Sequence, residues 1–286
     1  MTQQGSEPWR LPRGDEVETH ESQRVDTTTA HPARMYDYYL GGKNNFAVDR
    51  AAADLILDAA PEARTVARAG RDFLARAVRF TAGRLGIRQY LDVGTGIPAD
   101  GNVHEVAQAV IPESRVVYLD NDPIVLAHAR ALVSGDPRGR IATGQADLRE
   151  PEAVLTAPAV RESLDFTQPV AVVLGMVLHF IRDSEDPAGL VARLCAPLAP
   201  GSALIVSHIT YRSDALKKFA EEVYDRASAP VVPRTHEEVA ALLAGLAPVD
   251  PGLVRATLWR PEPGTPAPTP EELVNTTVFG AVALKH

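Results

Sequence analysis

An α/β protein, a mostly parallel sheet with helices on its faces, is predicted by three observations. Between Gln89 and His208, short β-branched runs alternate with stretches of helical periodicity, the pattern of stacked βαβ units. The first of these runs ends in an acid and a glycine turn, "YLDVGTGIPADGN" from Tyr90 to Asn102, at the place where an open parallel sheet builds its ligand site. The chain then closes on two further apolar runs, "GLVRATLWRP" and "TTVFGAVALKH", separated by the Pro-rich "PEPGTPAPTPEEL". These read as an antiparallel hairpin at the sheet edge rather than another βαβ unit.

Taken in chain order, residues 1–30 lack the apolar stretch of a secretory signal and read as a disordered tail. Residues 31–86 read as a helical cap or lid, with helical spacing over Ala47 to Ala60 and Glu62 to Leu85, interrupted by Pro61 and ended by Gly86. Residues 87–286 form the main domain. Its strands are expected at Gln89 to Val93, Arg115 to Asp120, Arg140 to Gly144, Val170 to Gly175 and Ala203 to His208. Helix starts are marked by Asp122-Pro123, by Pro187, and by the capping box of Thr235 and Glu238.

Bulk composition narrows the function classes. A net charge of -8 speaks against a nucleic-acid partner. The single Cys195 allows neither an intrachain disulfide nor a thiol metal cluster and suits a reducing cytoplasm. The longest apolar stretch, Pro169 to Ile181, falls short of the about 20 residues a bilayer span requires and reads as a buried strand. The expectation is a cytoplasmic protein without a membrane segment.

Read as Gly94-x-Gly96-x-x-Ala99, the glycine turn fits a dinucleotide fingerprint. The strand ends argue otherwise, because Asp92, Asp120 with Asn121, and Asp147 follow the first three strands. A diphosphate on this turn would sit near Asp92, and like charges roughly 4 Å apart cost about 4 kcal/mol at an effective dielectric near 20. S-adenosylmethionine has the opposite sign, bearing an ammonium and a sulfonium. Asp92 would hold its methionine end, Asp120 its ribose hydroxyls, and Asp147 with Leu148 its adenine, while Gly94, Thr95, Gly96 and Gly175 let it lie close to the backbone.

The ordered set of D-x-G-x-G, an acid after the second strand and "ADL" after the third resembles the motif series of class I methyltransferases. That resemblance implies a Rossmann-like sheet of seven strands with an antiparallel C-terminal hairpin and, here, an N-terminal helical extension. A narrower likeness lies in "HPARMYDYYLGGKNNFAVDRAAAD", "LDVGTGIPADGNVHEVAQ" and "VVYLDNDPIVLAHARALV". These strings are similar to methyltransferase family 19, long labelled a domain of unknown function and found chiefly in high-GC Gram-positive bacteria. The resemblance implies the fold and the methyl donor and leaves the acceptor open.

Other constellations are weighed against plainer readings. His104-Glu105-Val106-Ala107-Gln108 lacks the second histidine of a zinc-protease helix and reads as the helix after the glycine turn, with no metal. His179 after the fourth strand and His208 with Tyr211 after the fifth face the same mouth, where an imidazole could orient or deprotonate an acceptor. Tyr36, Tyr39, Lys43 and Asn44 read as a lid over the methionine moiety or the acceptor, or else as simple helix packing closed by Gly41-Gly42. The expected activity is S-adenosylmethionine-dependent methyl transfer (EC 2.1.1.-) to a small molecule. An NAD-dependent oxidoreductase and a non-catalytic binder of the methyl donor are the alternatives, and the acceptor and oligomeric state stay open.

Overall fold

The computed structural model describes residues 26–132 and 134–286. Most of the expected N-terminal tail therefore lies outside the described residues. Its last part, Asp26 to Ala30, packs against the first helix, where Arg34 donates to the carbonyls of Asp26 at 2.9 Å and Thr29 at 2.6 Å.

Three helices come first: α1 (Pro32–Leu40), α2 (Ala47–Ala59) and α3 (Ala63–Leu85). Then β1 (Gln89–Val93), α4 (Val103–Val110), β2 (Arg115–Asp120), α5 (Pro123–Leu132), β3 (Arg140–Gln145), α6 (Pro151–Thr156), α7 (Pro158–Ser163), β4 (Ala171–Gly175), α8 (Pro187–Cys195) and β5 (Ala203–Ile209) form the alternating body. The chain ends with α9 (Asp214–Tyr224), α10 (His236–Ala241), the two-residue strands β6 (Ala247–Pro248) and β7 (Val254–Arg255), α11 (Pro270–Asn275) and β8 (Val278–Leu284). The caps read from sequence are present, with the Asp122 carboxylate accepting from the Ile124 amide at 2.8 Å and Thr235 and Glu238 exchanging bonds ahead of α10.

The sheet runs β3-β2-β1-β4-β5-β8-β6, with β7 also paired to β8. β1 to β5 are parallel, and β8 lies antiparallel to β5 over Ala203–Ile209. Successive side chains alternate faces. Leu91, Val93, Val117, Leu119, Val172, Leu174, Leu204 and Val206 pack under α6, α7 and α8, while Tyr90, Val116, Tyr118, Val173 and Ile205 pack against α3 and α4.

The expected hairpin is only half strand. β8 is a full strand, but its expected partner shrinks to Val254–Arg255 and turns into a short 3-10 stretch, Ala256–Leu258. The cause is Trp259, fully buried and met edge-on by Phe73 at 5.4 Å and Phe80 at 5.6 Å, with Arg76 clamping the carbonyls of Ala256 and Trp259. Anchoring the indole on α3 pulls the chain off the sheet; the eighth strand among the described residues, where seven are expected, is the two-residue β6 paired with β8.

A third apolar cluster joins α1, α2 and α9 through Met35, Tyr39, Ala53, Ile56, Val223, Tyr224 and Val231. It sits over the carboxyl ends of the strands and gives the site its upper wall. Among the described residues, no helix is long and apolar enough to cross a membrane.

Candidate functional site

The strand order sets β3, β2, β1, β4 and β5 side by side, so the residues that follow them form a row stepped by about 4.8 Å. Above this row lies a cavity of about 770 Å³ walled by the helical cap. Asp92, Gly94, Thr95, Gly96, Asp120, Asn121, Asp147, Leu148, Gly175, His179, Tyr36, Tyr39 and Tyr211 all line it. Lys43, Asn44 and His208 do not.

The glycine turn is fixed by the neighbouring strand. The amides of Gly94 and Thr95 both donate to the Leu119 carbonyl, at 2.8 and 3.2 Å, and the Gly96 amide donates to Asp120 Oδ2 at 3.0 Å. Gly94 has φ of 74°, and a Cβ placed there would strike the Val177 side chain. Only glycine satisfies both the left-handed backbone and the close approach.

Asp92 and Asp120 are both buried, and neither has a salt-bridge partner among the described residues. Burial pushes Asp92 up to about 7, against the pull of its Thr95 hydrogen bond and the Arg71 guanidinium. It raises Asp120 to about 6, although the amides of Asp122 and Gly96 donate to that carboxylate. Asp147 differs. Burial alone would raise it, but it is held below the usual range by the Arg149 amide, the Asn121 side chain at 3.0 Å and the Arg149 guanidinium at 3.2 Å. The acids of the row left without a paired cation among the described residues are Asp92 and Asp120, because Arg149 already neutralises Asp147.

The two histidines part ways. His208 is fully buried, with Nδ1 against the Ile209 carbonyl at 2.7 Å and Nε2 against Arg234 at 3.0 Å. Nδ1 must carry the proton and Nε2 must accept, and burial holds the ring neutral, down to about 3. With both nitrogens engaged, His208 is corrected from a candidate base to a support for Arg234, which also binds the Leu178 and Ile181 carbonyls. His179 lines the cavity with Nδ1 buried and unpartnered among the described residues, and burial together with His208 and Arg234 keeps it uncharged.

The expected lid divides similarly. Tyr36 donates to the Ala67 carbonyl at 3.0 Å, tying α1 to α3. Tyr39 is buried and its hydroxyl has no partner of good geometry. Lys43 and Asn44 are displaced because the chain beyond Gly41, at φ of 86°, wraps the buried Asp37 carboxylate. That group accepts from the Asn44 amide at 2.9 Å and Asn45 Nδ2 at 2.7 Å, and a Cβ on Gly42 would strike it. The polar cluster after α1 is an anion-capping turn.

Several cavity residues escape sequence reading. Arg71 holds the carbonyls of Ala99 and Asp100 at 3.0 Å, fixing the loop after β1. His31 stands 3.4 Å from Asp122 and joins α1 to the end of β2. Met176 follows β4 at φ of 56°, a strained conformation for a side chain of its size. No local motif marks these positions, since each acts across more than twenty residues of chain or through backbone geometry. His104 and Gln108 are structural, bound to the Tyr118 hydroxyl and the Ser114 carbonyl.

Known proteins agree with this geometry. The model of the S-adenosyl methyltransferase family matches residues 18–286. A DUF574 family protein from Streptomyces avermitilis is 41% identical at a TM-score of 0.87, covering 92% of this chain and 100% of its own. A methyltransferase candidate from Thermobifida fusca is 37% identical at a TM-score of 0.84, covering 93% and 99%. The magnesium protoporphyrin IX methyltransferase of Synechocystis, solved with bound SAH, shares the fold at 13% identity and a TM-score of 0.50, over 88% and 93%. No curated protein sequence matches the chain.

Proposed function

Because the chain belongs to the S-adenosyl methyltransferase family, whose methyl donor is S-adenosylmethionine, we propose that it transfers the donor's methyl group to a small-molecule acceptor in the cytoplasm, with residues 31–86 acting as the cap of the acceptor chamber. The observation that carries this reading is Asp92, a buried carboxylate beside the glycine turn with no salt-bridge partner among the described residues. A buried charge is retained at such cost only where something compensates it, and the ammonium of the donor does so.

The donor fits the residues present. Asp92 would take the ammonium, Asp120 the ribose hydroxyls, and Asn121, Asp147 and Leu148 the adenine end, in the order the strands dictate. When bound, the donor supplies an activated methyl on a sulfonium. The chain supplies position and dryness. Gly94 to Gly96 admit the donor, Arg71 fixes the loop beside it, and the apolar cap excludes water from the acceptor.

Isothermal titration of the full chain tests the reading. S-adenosylmethionine is expected to bind, and Asp92→Asn to weaken it about tenfold or more. NAD binding in preference to the methyl donor would contradict it. Labelled donor with candidate acceptors then separates an enzyme from a non-catalytic binder.

A further inference from the structure

On the proposed placement Asp92 meets the donor's ammonium, but the methionine end of S-adenosylmethionine is a zwitterion. Its carboxylate sits on the same carbon as the ammonium, so it enters the same corner of the cavity and needs a partner there as much as the ammonium does.

Among the described residues, five lysine and arginine side chains line the cavity, and three of them hold carboxylates. Arg34 is bound to Asp49, Arg149 to Asp147 and Glu185, and Arg212 to Glu62. Lys217 belongs to α9, with its ammonium over the ring of Tyr211 beyond β5. Arg71 stands at the β1 end. From α3 it reaches the loop that follows the glycine turn, where Nη2 donates to the carbonyls of Ala99 and Asp100 at 3.0 Å each and lies 3.5 Å from Asn102 Oδ1. Its other donors are free. Nε and Nη1 have no hydrogen-bond partner among the described residues, and neither is sealed within the protein.

Asp92 and Arg71 therefore bring opposite charges into one corner without pairing. The guanidinium lies near enough to lower the Asp92 carboxyl against the effect of burial, yet no ion pair joins the two. Each is held back, Asp92 on β1 with the Thr95 hydroxyl donating to it at 3.1 Å, Arg71 by the loop carbonyls. Opposite charges held near each other but out of contact leave a gap suited to a group that carries both signs.

We propose that Arg71 is a donor-binding residue whose unengaged N–H groups receive the methionine carboxylate while Asp92 receives the ammonium, so that the site selects nucleosides bearing a whole amino acid. This rests on the methyltransferase reading above. Through Nη2 the same guanidinium joins the bound carboxylate to the Ala99–Asp100 loop and to α3.

Calorimetry on the full chain tests this with two probes, S-adenosylhomocysteine and its decarboxylated analogue, which keeps the ammonium. The parent is expected to bind S-adenosylhomocysteine about ten- to a hundredfold tighter than the analogue. Arg71→Gln is expected to lose that preference, with its affinity for the analogue within about twofold of the parent's, and Arg71→Lys, which keeps the charge, to retain part of it. Melting temperatures of both variants are read alongside. Equal affinity of the parent for the two probes overturns the inference without recourse to any variant. So does an Arg71→Gln variant that weakens both probes alike, the signature of a residue that only clamps the loop, or one that keeps the full preference. If S-adenosylhomocysteine does not bind the parent, the methyltransferase reading falls, and this inference with it.

Discussion

At the scale of single residues, the site depends on a carboxylate kept where water cannot reach it and a glycine that nothing can replace. Asp92 is raised from 3.8 to about 7 by burial, so the folded, unliganded protein holds its proton more tightly than the unfolded chain does. Its contribution to stability is therefore most favourable below about pH 4 and is lost as pH rises towards 7, a change on the order of 4 kcal/mol. Asp92→Asn removes that slope. The variant is expected to melt higher than the parent at pH 7.5 and close to it at pH 4, as thermal denaturation at the two pH values would show. Gly94→Ala acts by sterics. A methyl group at φ of 74° meeting Val177 is expected to cost about 1–3 kcal/mol and to abolish donor binding by shifting the turn, which a melting curve and a titration read together. Asp92 and Gly94 are legible in sequence because strand, acid and glycine fall within six consecutive residues. The fates of Asp147 and His208 are not, since Arg149 and Arg234 reach them through side-chain geometry that spacing does not encode.

At the scale of elements, the helical cap is pinned by one buried ion pair. Arg34 Nε and Asp49 Oδ1 lie 3.1 Å apart with side chains 3% and 0% exposed, and Asp49 also accepts the amides of His31 and Phe46. One pair thus joins α1, α2 and the segment before α1. Breaking a buried pair from one side leaves an uncompensated charge, so Arg34→Ala is expected to destabilise the protein by about 3–5 kcal/mol. Asp49→Asn, which keeps much of the hydrogen bonding, should cost less. Denaturant unfolding of both variants checks the order, and equal losses would contradict it. Helical periodicity reveals α2 and α3 and the alternation of β-branched runs reveals β1 to β5, because those signals lie in contiguous windows. The turn after α1 and the strand before β8 are read differently from what the structure holds. In the first, Asp37 gathers the polar residues into a cap; in the second, Trp259 outweighs strand propensity by docking on Phe73 and Phe80.

At the scale of the whole molecule, a parallel sheet under an apolar cap creates a chamber in which one buried acid, Asp92, awaits a positive charge. Ligand that binds only the folded state adds stability by mass action, about 2.7 kcal/mol at a hundred times its dissociation constant. Donor binding should therefore add most stability where Asp92 is ionised. The sign of the guest's charge is the central claim, and the pH dependence of its affinity reads that sign directly. Titration calorimetry of the full chain with S-adenosylmethionine between about pH 5 and 8 is expected to show binding that tightens as pH rises, by up to about tenfold per unit, and levels off above about 7, with proton release on the acid side. Affinity that is flat across this range, or that weakens as Asp92 loses its proton, would contradict the account.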